Sequence, residues 1–496
     1  MGDTVVELPA TEQRRLLAAQ EVSAGELLDA HLERIAAVNP DVNAVIALDP
    51  DVGRDRAAAV DRATADGDDP GPLAGLVTAH KDLTETADFP TTYGTPVFAG
   101  FRPPADSLLV ARMRAAGAVA VGKTNVPEFG AGSHTFNPLH GLTRNPWNLE
   151  RSAGGSSGGA AAALACGMVA IADGSDMGGS LRNPAAWCNV VGFRPTPRVV
   201  PHVGPGNRWL PLALDGPMGR TVADVALLLA VLAGPEPADP LHRPITVPDR
   251  LDPPDRPLRV AWSRDIGGAA IEADQVAVLD AFRPTIEEVG WEVVDDEPNL
   301  RGADECFKTL RAWQFATGPA VRLGPRVEQL KATIRDEIRR GNELPAAQVA
   351  AAYEHLGVLL RRSVEFFSRY DLLAGPVTQV APFPADWEYP TEVAGRRMDS
   401  YIDWMAVCCR VTAMGCPALS LPAGFDADGL PVGIQLVGAP GRDVDVLRAA
   451  AVLESASGHG LRRPPVLTDP RVSGTGGFPA PPPGGRPSGH AKASGR

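Results

Sequence analysis

Three short fragments carry serine or lysine side chains that could do chemistry. They are Lys81 in "HKD" (80–82), Ser156 and Ser157 in "GGSSGG" (154–159), and Ser180 in "GSDMGGSLRNPA" (174–185). A serine after two glycines is either a nucleophile or part of a tight turn, and a nucleophile needs a base to take its proton. Histidine is the usual base. Nine histidines occur (31, 80, 134, 140, 202, 242, 355, 459 and 490), and no local spacing ties any of them to Ser180. The string Gly178-Gly179-Ser180-Leu181-Arg182 is not a G-x-S-x-G elbow, and S-x-x-K is absent. Five lysines remain as candidate bases: Lys81, Lys123, Lys308, Lys331 and Lys492. "GGSSGG" lacks the lysine of a phosphate-binding loop, and "GSDMGGS" does not fit G-x-G-x-x-G, so a nucleotide site is weakly supported.

These fragments need elements to hold them. "LAGLVTAHKDL" (73–83) reads as a buried strand with Lys81 near its end, and His80 alternates to the opposite strand face. A helix from 107 stops at Gly117 and is followed by the strand "AVAVGK" (118–123). After a Gly/Asn/Pro-rich stretch (130–157), "GGSSGG" leads into a helix of small residues that runs toward the Ser180 segment. Upstream, apolar residues repeat with helical period over 10–38, with Ser23 and Glu26 as a capping box. "NPDVNAVIALDPD" (39–51) reads as a turn and a short strand, followed by a helix over about 53–66. Downstream, 218–234 reads as an amphipathic helix with Thr221 at its N-cap, and 235–257 as a linker or surface loop. Strands are expected at 258–265 and 291–297 around a helix at 272–289, then a helical region over 303–370. Further strands at 370–378, 418–425 and 431–438 precede a last helix at 443–457. Alternating helices and strands indicate an α/β fold. From 468 onward Pro, Gly and Ser dominate, which predicts a disordered tail over 468–496. No internal repeat is present.

Composition narrows the function classes. The 496 residues are 44% hydrophobic and 22% charged, as in an ordinary soluble globular protein with a substantial core. A net charge of −13 argues against a nucleic-acid partner. Six cysteines without a CxxC pair suggest buried thiols in a reducing cytoplasm, and Cys188 is read as a packing residue. No signal sequence and no apolar run of transmembrane length is evident, and Asp3 disfavours myristoylation at Gly2. The expectation is therefore a cytoplasmic protein without a membrane or nucleic-acid partner.

Taken together, the fragments resemble the amidase signature family, whose hallmark is a Ser–cis-Ser–Lys triad. The spacing of 24 residues from Ser156 to Ser180 fits the family pattern. "VGKTNVPEFG", "NPLHGLTRNPWN", "GPMGRTVADVALLL" and "CPALSLPAGFDADGLPVGIQLVG" extend the likeness over roughly residues 10–460. The resemblance implies a single large α/β/α domain over 1–467, with its signature core at about 70–225, around a mixed, twisted sheet flanked by helices. It implies hydrolysis of a carboxylic amide to carboxylate and amine or ammonia, with no metal and no other cofactor. Ser180 would be the nucleophile, Ser156 the cis-serine relay and Lys81 the base. Lysine's ordinary pKa near 10.4 means that burial must lower it for this role. Backbone N–H groups of Met177, Gly178, Gly179 and Ser180 would form the oxyanion hole. Ser157, Ser175 and Asp176 would orient the loop, Arg182 would tie it down, and Asp82 is read as structural. Four positions depart from the usual pattern: Ser175 for Thr, Trp187 for Phe, Asn189 for Gly and Arg194 for Lys.

The expected partner is a small-molecule amide, and a homodimer is the expected assembly. Two other readings stand beside a free amidase. One is the amidase subunit of a glutamine-dependent tRNA amidotransferase, which typically carries an "LDQIGP"-like string where this chain has "LDGPMG" (214–219). The other is a catalytically silent binding protein, which the intact Lys81, Ser156 and Ser180 disfavour.

Overall fold

Two sheets carry the segments that matter. The computed structural model describes residues 5–203 and 209–467, so the tail expected over 468–496 lies outside the described residues. The smaller sheet has strands β1 (Val45–Ile46), β2 (Val77–Lys81) and β3 (Val119–Thr124), in the order β1-β3-β2. The larger has eight: β4 (Ala172–Asp176), β5 (Val191–Arg194), β6 (Leu214–Gly219), β7 (Arg259–Trp262), β8 (Glu292–Asp295), β9 (Leu372–Pro376), β10 (Ala418–Phe425) and β11 (Pro431–Gly438). Their spatial order is β8-β7-β9-β11-β10-β5-β6-β4. β7 runs parallel to β8 and β9, and the other pairs are antiparallel, so the sheet is mixed.

The parallel pairs require long crossovers. The helix Ala273–Glu288 supplies one, and helices between residues 303 and 367 supply the other. Apolar side chains of β5, β7, β10 and β11 pack with those of the helices Val222–Leu232, Ala273–Glu288 and Asp443–Ser457 in one large core. The expected mixed α/β architecture with helices flanking a large sheet is therefore present. Among the described residues, no helix is long and apolar enough to cross a membrane.

The two sheets meet beside Lys81. Ala170 N–H donates to Val77 O (2.9 Å), linking the approach to β4 with β2. Every residue of the helix Gly158–Ala165 is buried. Its small side chains let it lie against β2, β3 and β4, and a Cβ at Gly159 would stand 2.4 Å from Asn125 N. The glycine is needed there for close packing, and the serine pair is thereby carried to the seam.

Local rules account for most element ends. Ser23 and Glu26 form the expected capping box, and Thr221 pairs with Asp224 in a second one. Two of the differences from the sequence reading have a clear physical reason. The helix beginning at Ala24 continues through Pro40 to Val42, and the turn falls at Asn43 (φ 55°). Tertiary packing of Val38 and Val42 in the core outweighs the local break. Met218 and Gly219, read as the start of a helix, instead end β6. Gly216-Pro217 disguised this strand as a turn, yet β5 pairs only with Met218 and Gly219, so Pro217 stands where β6 has one neighbour.

Candidate active site

Lys81 is completely buried at the end of β2, and its Nζ is surrounded by hydroxyls. It lies 2.9 Å from Ser156 Oγ, 2.7 Å from Ser157 Oγ and 2.9 Å from Ser175 Oγ, and donates to Ser175 O at 3.2 Å. The Gly155–Ser156 peptide is cis. Ser133 Oγ and Thr135 Oγ1 donate to the carbonyls of Gly155 and Gly154 (2.6 and 2.8 Å), fixing the loop that presents the serine pair. Burial lowers the lysine pKa to about 7, against the opposing pull of Asp215, Asp176 and Asp173.

Ser180 and Ser156 both line a cavity of about 200 Å³. Ser157 N–H donates to Ser180 O at 3.3 Å, so the two serine loops are joined through the backbone. Among the described residues, the Ser180 hydroxyl itself has no hydrogen-bond partner. The lysine–Ser156 arm of the expected relay is thus made, and the Ser156–Ser180 arm is open.

Asp176 organises the loop before Ser180. Its carboxylate accepts from Gly179 N–H (2.9 Å) and Leu181 N–H (3.1 Å), and from Arg182 Nε and Nη2 (3.0 and 2.9 Å). Burial alone would raise the Asp176 pKa, but Arg182 and Arg194 outweigh it and hold the group well below the usual carboxylate range. Arg182 continues to Gln435 Oε1 (2.6 Å) and Thr412 Oγ1 (3.1 Å), fastening the loop to β11 and to the helix Ala406–Ala413. Gly179 has φ +109°, and a Cβ there would stand 2.7 Å from Cys408 Cβ. Of the four amides expected in the oxyanion hole, that of Gly179 is already given to Asp176. The amides of Met177, Gly178 and Ser180 have no protein acceptor among the described residues.

A buried lysine ringed by hydroxyls, with its pKa lowered by burial, can serve as the base of a seryl acyl transfer when a serine lines the adjoining cavity. The model of the amidase family matches residues 26–447. The chain belongs to the amidase family. An acylamidase from Rhodococcus erythropolis is 35% identical over 474 residues, spanning 92% of this chain and 97% of that protein. A subunit of the glutamyl-tRNA(Gln) amidotransferase from Salinispora arenicola (strain CNS-205) is 35% identical over 494 residues, spanning 92% and 98% respectively. The crystal structure of a bacterial aryl acylamidase of the amidase signature enzymes superposes with a TM-score of 0.85 at 28% identity, covering 92% of this chain and 99% of the other. This amidase is accordingly an amide-hydrolysing enzyme with the amidase signature fold.

The amidase's four departures from the family pattern have local explanations. Ser175 keeps the hydroxyl that faces Lys81. Asn189 takes the left-handed position (φ +58°) after a helix where glycine is usual, and its Nδ2 donates to His459 O at 3.0 Å. Arg194 donates to the carbonyl of Asp176. Trp187 stacks on Trp404, with centroids 5.4 Å apart.

Residues named as supporting fall into two groups. The Ser157 and Ser175 hydroxyls contact the lysine, whereas Asp176 and Arg182 anchor the loop. Asp82 accepts from Thr92 N–H (3.0 Å) and lies 3.7 Å from buried Lys123 Nζ, away from the serines. Cys188 is fully buried, and burial raises its thiol pKa well above the ordinary value.

Sequence reasoning missed Asp173 and the distal cavity wall. Asp173 lies behind Lys81 and engages His80 Nδ1 at 2.7 Å. Phe307, Arg311, Gln314 and Phe315 line the cavity from one face of the helix Ala303–Thr317. Their spacing of i, i+4, i+7 and i+8 marks a single stripe, but nothing local says what it faces.

Proposed function

We propose that this amidase cleaves small, uncharged carboxylic amides through a seryl acyl-enzyme, with Ser180 as nucleophile, Ser156 as relay and Lys81 as base. The observation that carries this reading is the 2.9 Å contact between Ser156 Oγ and the Nζ of a fully buried Lys81, whose pKa burial lowers to about 7. Rotation of the unpartnered Ser180 hydroxyl toward Ser156 completes the relay; such catalytic bonds often tighten only with substrate bound. Ser180 Oγ then attacks the amide carbon, its proton passes to Ser156, and the Ser156 proton passes to Lys81. The carbonyl oxygen becomes an oxyanion facing the N–H groups of Met177, Gly178 and Ser180. Collapse breaks the C–N bond, and the lysine proton returns through Ser156 to the leaving amine. Water attacks the resulting ester along the same proton path, releasing carboxylate and restoring Ser180.

Cavity chemistry supports the substrate class. A dry cavity of ~150 Å³ accepts benzene, and about 200 Å³ is present here between Phe129, Phe307, Phe315 and Met405. Arg311 also lines it, but its guanidinium donates to Tyr401 Oη (2.6 Å) and sits 3.5 Å from Glu337 Oε2. A charge already engaged in this way favours a neutral acyl or aryl amide over the zwitterion glutamine, the substrate of the amidotransferase reading. The acylamidase relatives point the same way.

The pH profile tests the base. Only neutral Lys81 accepts a proton, so kcat/KM for an anilide substrate should fall about tenfold per pH unit below a midpoint near 7. A flat profile from pH 5 to 9 would contradict a lysine base.

A further inference from the structure

We propose that His80 and Asp173 form a buried positioning pair that sets how readily Lys81 exchanges its proton. This rests on the reading of Lys81 as the base. Neither residue lines the catalytic cavity or touches a serine of the proposed triad. Asp173 is fully buried, yet its carboxylate is used throughout: Oδ1 accepts from His80 Nδ1 (2.7 Å), and Oδ2 from Thr84 Oγ1 (2.9 Å) and Lys81 N–H (3.3 Å). All three partners lie within residues 80–84, at the end of β2. One carboxylate therefore fixes the backbone from which the lysine side chain reaches Ser156. The register shift between Thr78 and His80 in the β2–β3 pair falls at the same place.

Charge gives the pair a second effect. Lys81 is faced by Asp173 and Asp176 from β4 and by Asp215 from β6, all of which favour its ammonium form. His80 and Asp82 flank it in sequence, and Lys123 lies on the neighbouring strand β3. Asp176 is neutralised by two buried arginines, and Asp82 lies beside Lys123. Burial raises the Asp215 pKa, with His202 opposing that rise. Asp173 differs from Asp176 in that its closest basic partner is an imidazole rather than a permanent cation. Whatever draws on the Asp173 carboxylate alters the negative potential felt by Lys81, in an interior where such potentials are weakly screened.

The signs follow. Asp173→Asn removes a negative charge, so Lys81 loses its proton more easily and the acid limb of the activity profile moves to lower pH. His80→Gln removes the imidazole that draws on Asp173, so the carboxylate bears more strongly on Lys81 and the limb moves to higher pH. The readout is the rate of covalent labelling by a fluorophosphonate, measured from pH 5 to 9 on the full chain. Shifts of about half to one pH unit are expected, equivalent to about three- to tenfold in labelling rate on the acid side. Opposite shifts in the two variants support the pair. Rates that drop at every pH with an unmoved limb overturn it in favour of a purely structural role. If Asp173→Asn does not fold, His80→Gln decides alone: an upward shift supports the pair, and an unmoved limb overturns it. A wild-type profile with no acid limb overturns the lysine base itself and the pair with it. A normal wild-type limb with unmoved variants overturns only the pair.

Discussion

Ser180→Ala is expected to lower amide turnover by at least about 10,000-fold, the scale seen when a nucleophile of an acyl-transfer triad is removed. The fold should be untouched. The Ser180 hydroxyl has no protein partner among the described residues, and the loop is held instead by Asp176, Arg182 and the Ser180 carbonyl. Its unfolding midpoint should therefore stay within about a degree of the parent's, as for substitutions that remove no packing or buried bond. The residual rate would come from the oxyanion donors, which the substitution leaves in place. Steady-state rates on an anilide, together with a thermal melt, check both halves. Undiminished turnover in a folded Ser180→Ala protein would remove Ser180 from the mechanism.

Asp176→Asn should have the largest effect on stability. Arg182 and Arg194 are both fully buried, and Asp176 is the carboxylate that faces each of them. Its loss leaves two guanidinium charges in the interior without an anion, and breaking a buried pair in this way typically costs about 3–5 kcal/mol. Urea unfolding should show an unfolding free energy lower by that amount, with a correspondingly lower midpoint. The acid behaviour carries a matching sign. Because the folded-state pKa of Asp176 is depressed, its stabilising contribution is present above the ordinary carboxylate range and is lost only as pH falls through the depressed value. Activity should fall as well, because the carboxylate also holds the N–H groups of Gly179 and Leu181. A stability within about 1 kcal/mol of wild type, the net worth of one hydrogen bond, would mean that the arginines find other partners.

What the sequence made legible, and what it hid, divides by range. Local features were readable: the Ser23–Glu26 box, the N-cap at Thr221, the stop at Gly117 and the last helix, Asp443–Ser457. Lys81 at the end of an apolar strand was readable too, and with it the need for a lowered pKa. The hydroxyls around its Nζ were not derivable from patterning, since they come from positions 75 to 94 residues away. Only the family resemblance brought those fragments together. The role of Asp173 stayed hidden because the first aspartate of "IADGSD" carries no local sign of burial or of its partner His80. The Phe307–Phe315 stripe was hidden for the opposite reason. Its helical spacing is present, but the cavity it faces is closed by Phe129 and the serine loops far upstream and by Met405 far downstream.

The central claim is that Ser180 becomes covalently acylated with help from Lys81. Reaction of the intact protein with a fluorophosphonate, followed by peptide mass mapping, tests it most directly. The predicted result is a single adduct on Ser180, absent from Ser180→Ala and slowed by more than about a hundredfold in Lys81→Met, as expected for loss of a general base. An adduct on another residue, or none on Ser180 in active enzyme, would contradict it.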